Sequence, residues 1–159
     1  MGGSREEEFM RQTLELAVEN VKTGRGGPFA AIVVRDGEII ATGVNLVTEA
    51  NDPTAHAEVS AIRAACAKLG SYQLKGCEVY TSCEPCPMCL GALYWARPDH
   101  IYFSASRDDA AASGFDDSFI YGEVVRSIEK RNIATNRLLP EESSRPFDIW
   151  DCKDDKKTY

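Results

Sequence analysis

Two short segments carry the residue types that chemistry needs: His56-Ala57-Glu58 and Pro85-Cys86-Pro87-Met88-Cys89. Cys86 and Cys89 stand three apart, so on a helix they share one face. His56 and Glu58 stand two apart, which would separate them in mid-helix. At a first turn both can instead point past the helix end. One neutral imidazole and two thiolates make three protein ligands for a zinc ion, with a fourth tetrahedral position open to water. Helix N-termini carry partial positive charge, which favours the thiolate form of both cysteines. Three ligands and an open position are the arrangement of a catalytic zinc. Glu58 beside it would take a proton from the zinc-bound water and pass protons on.

These segments can act together only if they open two helices at one edge of a sheet, and the surrounding pattern allows this. Ser4 with Glu7 forms a capping-box pattern. Met10, Leu14, Val18 and Val21 then recur at helical spacing up to Gly24, which predicts an amphipathic helix over 4–23. Pro28 to Arg35 is an apolar run, Asp36-Gly37 a hairpin turn and Glu38 to Asn45 the return strand. Asn51-Asp52-Pro53 breaks the chain. A helical pattern resumes from Thr54, with Ala61, Ile62, Ala65, Cys66 and Leu69 on one face and Gly70 after it. Cys77 to Ser82 reads as a third strand. Pro87 suits a first turn, and Met88 to Ala96 continues as helix until Arg97-Pro98.

His100 to Ser106 reads as a fourth strand, followed by a short Ala-rich segment, Gly114 and a helical stretch from Phe115 to Val125. A weaker strand is predicted near Ile133–Leu138, and a final helix from Ser144-Arg145-Pro146 towards Lys156. The alternation predicts one α/β domain over 1–159, a three-layer α-β-α sandwich with a mixed five-stranded sheet. If the second and third strands run parallel, the His56 and Cys86 helices begin beyond the same strand ends, where ligands collect in open α/β folds.

Composition narrows the function. The 159 residues suit a single domain, and 43% hydrophobic with 27% charged residues is ordinary globular usage. Eighteen Lys plus Arg stand against 25 Asp plus Glu, a net charge of −7, which argues against a general polyanion binder. No Lys/Arg cluster exceeds the Lys156-Lys157 pair. No apolar run approaches the roughly 20 residues of a membrane helix. Met1-Gly2-Gly3-Ser4 reads as a start remnant, and six cysteines without a signal peptide read as cytoplasmic thiols.

Cys83, Cys86 and Cys89 run at three-residue steps, so a closed Cys₃His structural site is the competing arrangement. It would make the chain a zinc-stabilised interaction module and leave Glu58 without a task. Cys66, Cys77 and Cys152 read as core or surface thiols.

Beyond the zinc segments stand Gly26-Gly27-Pro28-Phe29, Asn51-Asp52-Pro53-Thr54-Ala55-His56-Ala57-Glu58, Thr81-Ser82-Cys83-Glu84-Pro85, Cys89-Leu90-Gly91-Ala92 and Tyr94-Trp95-Ala96-Arg97-Pro98. To these add Gly114-Phe115-Asp116-Asp117-Ser118-Phe119-Ile120-Tyr121. On these residues, and over nearly its whole length, the chain resembles the cytidine/deoxycytidylate deaminase superfamily and within it the bacterial guanine deaminases. The resemblance implies hydrolysis of guanine to xanthine and ammonia, with attack of zinc-activated water at C2. It assigns one zinc to His56, Cys86 and Cys89, and the proton shuttle to Glu58. It further implies that Asn45 hydrogen-bonds the base, Asp117 accepts from its N–H groups, Phe29 and Trp95 wall the base and Tyr159 closes the pocket. It also implies a homodimer in which a C-terminal segment, about 144–159, is exchanged. A cytosine or guanosine deaminase and, with a more basic surface, a tRNA adenosine deaminase share the zinc signature. From residue type alone, Asn45 also suits a strand-end turn, Asp117 a helix cap and Trp95 a core.

Overall fold

The computed structural model describes residues 3–159, so Met1 and Gly2 of the suggested start remnant lie outside the described residues. Ser4, grouped with them, is the N-cap of α1 (Arg5–Lys22), its hydroxyl accepting from the Glu7 N–H at 3.3 Å. The helix forms where its spacing predicts but turns a neighbouring face inward. Phe9, Thr13, Ala17 and Asn20 are buried, whereas Leu14, Val18 and Val21 are 37%, 46% and 51% exposed. Size and local satisfaction explain the shift. The Phe9 ring seats against Tyr80 at 5.4 Å between centroids, and Ala17 lets the helix lie close. The Thr13 hydroxyl is satisfied within the helix by Phe9 O at 2.8 Å, so its burial leaves no orphan donor.

Four strands form one sheet: β1 (Ala30–Arg35), β2 (Glu38–Val44), β3 (Cys77–Cys83) and β4 (His100–Ala105), in the order β2-β1-β3-β4. β1 pairs antiparallel with both β2 and β3, and β3 pairs parallel with β4. Hence β2, β3 and β4 all point one way, as the shared-edge condition requires. The β1–β2 turn has positive φ at Asp36 (52°) and Gly37 (81°), the geometry that matches strand twist in a two-residue hairpin.

Alternation along β1 separates two cores. Ala31 and Val33 join Val79 beneath α3 (Ala57–Leu69) and α4 (Pro87–Ala96), while Ile32, Val34 and Tyr80 meet Phe9 of α1. The result is the expected α-β-α layering. Two shorter helices, α2 (Val47–Ala50) and α5 (Arg107–Ala112), follow β2 and β4.

The chain divides into two compact units, one ending at Asp117 and the other Ser118–Tyr159. The sandwich is the first. The second holds α6 (Ser118–Val124), two single 3₁₀ turns and α7 (Arg145–Asp151). The predicted fifth strand near Ile133–Leu138 does not form, so the sheet has four strands and not five. Ile133 and Leu138 are the segment's only large apolar residues and stand five apart, an odd spacing that would put them on opposite faces of a strand. No described helix is long and apolar enough to cross a membrane.

Candidate active site

A glycine sets the position of the first site segment. A Cβ at Gly43 of β2 would overlap Ala57 O and Ala61 N, so its absence lets the first turn of α3 rest directly on the strand. Ala57, Ala61 and Ala65, at successive helical turns, are wholly buried and continue that close approach. His56 is the N-cap, with extended backbone (φ −70°, ψ 156°), and Glu58 lies in the first turn. The second segment follows β3 after a short link. Cys86 is the N-cap of α4, its Sγ accepting from the Cys89 N–H at 3.5 Å, and Pro87 opens the helix where a missing N–H costs nothing.

Both helix starts bring their side chains together. His56 Nδ1 lies 3.5 Å from Cys86 Sγ and 3.5 Å from Cys89 Sγ, and the three donor atoms all fall within 4.8 Å of one another. Tetrahedral zinc with ordinary bond lengths would hold a nitrogen and a sulfur about 3.6 Å apart. The donor set therefore fits zinc in chemistry and in spacing. Cys83 stands outside it. Its thiol donates to Ser106 O at 3.6 Å, and burial pushes it up to about 11. The donors thus number three, leaving the open position of a catalytic site.

Glu58 is 6% exposed, and its Oε2 accepts from the Cys89 thiol at 3.3 Å. Burial raises its carboxyl, with backbone and Cys89 hydrogen bonds opposing. Cys86 is drawn down to about 4, chiefly by the Cys89 thiol and then by His56. Cys89 holds its proton well above the usual thiol range because of the neighbouring Cys86 sulfur, then burial, with Glu58 adding to both. His56 is raised because the Cys86 thiolate favours its cationic form. A divalent cation would replace these protons, so its affinity must increase with pH.

The remaining predicted residues are distributed unevenly. Asn45, half-buried beyond β2, accepts at Oδ1 from Val47 N–H (3.3 Å) and Gly27 N–H (3.4 Å). Phe29 meets Phe115 edge-on, 4.9 Å between centroids at 87°. Asp117 is raised by burial and then by the negative Cys86 nearby. Trp95 lies nearly two turns beyond Cys89 on α4 and is 63% exposed, so it is not the core residue its type also suited. Tyr159 belongs to the second unit. An apolar groove of about 670 Å³, lined by Val18, Val21, Phe29, Cys83, Ala110 and Phe115 among others, adjoins the Phe29 side.

Sequence reading missed Asn20. Its side chain is buried at the end of α1 and donates to Gly27 O and Asn45 O, each at 2.9 Å. A helical phase anchored on Phe9 instead of Met10 would have marked it as a polar residue facing inward.

The model of the cytidine and deoxycytidylate deaminase zinc-binding region matches residues 4–105. Guanine deaminase of Bacillus subtilis (strain 168) is 54% identical over 153 residues, 96% of this chain and 98% of that protein. A crystal structure of guanine deaminase from Bacillus subtilis superposes with a TM-score of 0.95, covering 96% of this chain and 98% of that one at 54% identity. A tRNA-specific adenosine deaminase of Aquifex aeolicus is 44% identical over 99 residues, 62% of this chain and 65% of that protein.

Proposed function

As a member of the cytidine and deoxycytidylate deaminase family, this chain is, we propose, an enzyme that hydrolyses guanine to xanthine and ammonia. One observation carries the reading: a three-donor His/Cys/Cys cluster with the Glu58 carboxyl 3.3 Å from Cys89 Sγ. His56, Cys86 and Cys89 would hold a zinc ion, which would make a water acidic enough to serve as nucleophile near neutral pH. Glu58 takes one proton from the water that attacks C2 and delivers it to the adjacent ring nitrogen, then takes the second from the resulting C2 hydroxyl and delivers it to the departing amine. One water is consumed and one ammonia leaves. Burial suits Glu58 to this exchange, because a raised carboxyl both takes and returns a proton readily.

Guanine as substrate is supported by the end-to-end likeness to the Bacillus subtilis guanine deaminase. Its edge offers donors at N1 and N2 and acceptors at O6 and N7. Asn45 has its Oδ1 committed to two backbone N–H groups, which leaves Nδ2 to donate to O6. Asp117 would accept from the base N–H groups. Phe29 and Trp95 would form the walls. The same reading includes a homodimer with exchange of about 144–159, closure of the pocket by Tyr159 and a cytoplasmic setting, where the six free thiols stay reduced.

The likeness to the tRNA-specific adenosine deaminase favours a second substrate class, but covers 62% of this chain. A net charge of −7 also opposes RNA binding. The test is ammonia release by the zinc-loaded protein from guanine, guanosine, cytosine, adenine and a tRNA anticodon hairpin. Release from guanine far above the others is expected, and a preference for the hairpin would overturn the reading.

A further inference from the structure

We propose that Asn20 is a positioning residue for base recognition. It clamps the Gly27–Phe29 turn to the end of β2, so that Asn45 and Phe29 are held in register against the base. The inference rests on the proposed roles of those two residues.

The clamp is a convergence of two carbonyls from segments eighteen residues apart. Gly27 O and Asn45 O each accept from the same Asn20 Nδ2 at 2.9 Å. A primary amide is suited to this because one nitrogen carries two N–H groups. An ionised aspartate of the same shape would present only acceptors to both carbonyls, and a leucine would leave both unpaired. Further bonds tighten the node. Asn45 N–H donates to Phe29 O at 3.0 Å, Phe29 N–H to Gly27 O at 2.8 Å, and Gly27 N–H to Asn45 Oδ1 at 3.4 Å. A Cβ at Gly26 would overlap Asn45 O, so the two segments touch backbone to backbone.

Two observations indicate that the clamp serves orientation. Asn20 is 3% exposed, yet its own Oδ1 is buried without a hydrogen-bond partner. The residue is placed for its two N–H groups and not for balanced satisfaction of its own amide. Also, Asn45 Oδ1 is fixed by Gly27 N–H and Val47 N–H, so moving Gly27 frees the carboxamide to rotate and mispresent Nδ2. Asn20 comes from α1, whose core lies on the face of the sheet away from α3 and α4. It therefore ties base recognition to the opposite layer.

The test uses the zinc-loaded protein and the variants Asn20→Ala, Asn20→Asp, Asn45→Ala and the Asn20→Ala/Asn45→Ala double. Zinc content, circular dichroism, kcat and KM are measured with guanine and with 2-aminopurine, which keeps the 2-amino group but lacks the 6-oxygen. Where turnover of 2-aminopurine is too slow, its inhibition constant serves. Folded Asn20 variants with full zinc should lose about 10- to 100-fold in kcat/KM on guanine, mainly through KM, and lose preference over 2-aminopurine. The double variant should be no worse than Asn45→Ala, since the two act through one contact. Retained preference in the Asn20 variants, or full additivity in the double, overturns the inference. If Asn20→Ala fails to fold, Asn20→Ser keeps one donor and should fall between; unchanged preference there overturns it equally. Unchanged KM and preference in Asn45→Ala would instead remove the base-reading role, and this inference with it. No ammonia from guanine in the wild type would overturn the proposed function itself.

Discussion

Cys89 Sγ and Glu58 Oε2 stand 3.3 Å apart, with the thiol donating, so the metal-binding half and the proton-carrying half of the site share a hydrogen bond. When Cys89 gives up that proton to bind a metal, Glu58 loses a donor and gains freedom to face a substrate. The metal ligands and the proton carrier are therefore separable by mutation.

Glu58→Gln keeps size and polarity and leaves His56, Cys86 and Cys89 intact. It should retain one zinc per chain while ammonia release from guanine falls by about 10²- to 10⁴-fold. Metal analysis beside a turnover assay checks this; comparable turnover would remove Glu58 from the mechanism.

The same residue gives the metal-free protein a pH dependence. Burial raises the folded-state carboxyl above its unfolded value. Below the unfolded pKa both states are protonated and burial carries no charge penalty. As pH rises through the folded pKa, the folded state must ionise a buried group, and stability is lost. Metal-free Glu58→Gln should therefore melt higher than metal-free wild type near neutral pH, with the gap closing towards about pH 4, near the unfolded carboxyl pKa. Melting curves across that range test it, and a gap independent of pH would contradict it.

Zinc binding should release protons, since Cys89 holds one strongly and His56 is raised by the Cys86 thiolate. Calorimetric titration of metal-free protein in two buffers of different ionisation enthalpy measures the number released. Cys86→Ser should weaken zinc binding severely. Cys83→Ser should leave one zinc per chain, because Cys83 donates to Ser106 O and lies outside the donor set.

Gly43→Ala should push α3 away from β2, where a Cβ meets Ala57 O and Ala61 N. Overpacking of this kind costs about 1–3 kcal/mol. Because His56 caps α3, zinc affinity should fall together with the denaturation midpoint. Lost stability with unchanged zinc affinity would show that the helix start is held by other contacts.

Legibility in the sequence followed the range over which each feature is determined. His56, Glu58, Cys86 and Cys89 are readable because ligand chemistry fixes residue type and helix geometry fixes spacing; the structure brings all four together. The hairpin is readable because Asp36-Gly37 is a local conformational demand. The phase of α1 is not, since Met10, Leu14, Val18 and Val21 form as good a stripe as the one buried. Packing against Tyr80, Ile32 and Val34 across the sheet selects Phe9. The weak strand near Ile133–Leu138 lacked a period that could bury one face. Asn20 was invisible for a related reason: its task exists only where Gly27 O and Asn45 O converge in space.

The direction of β1 has a practical consequence. It runs against the other three strands, so the Asp36-Gly37 turn lies at the rim of the sheet remote from the starts of α3 and α4. The Asp36 side chain is 92% exposed. A dye or surface tether attached there would leave the approach to the donor cluster free, and immobilised molecules would present their reactive rim to the solution.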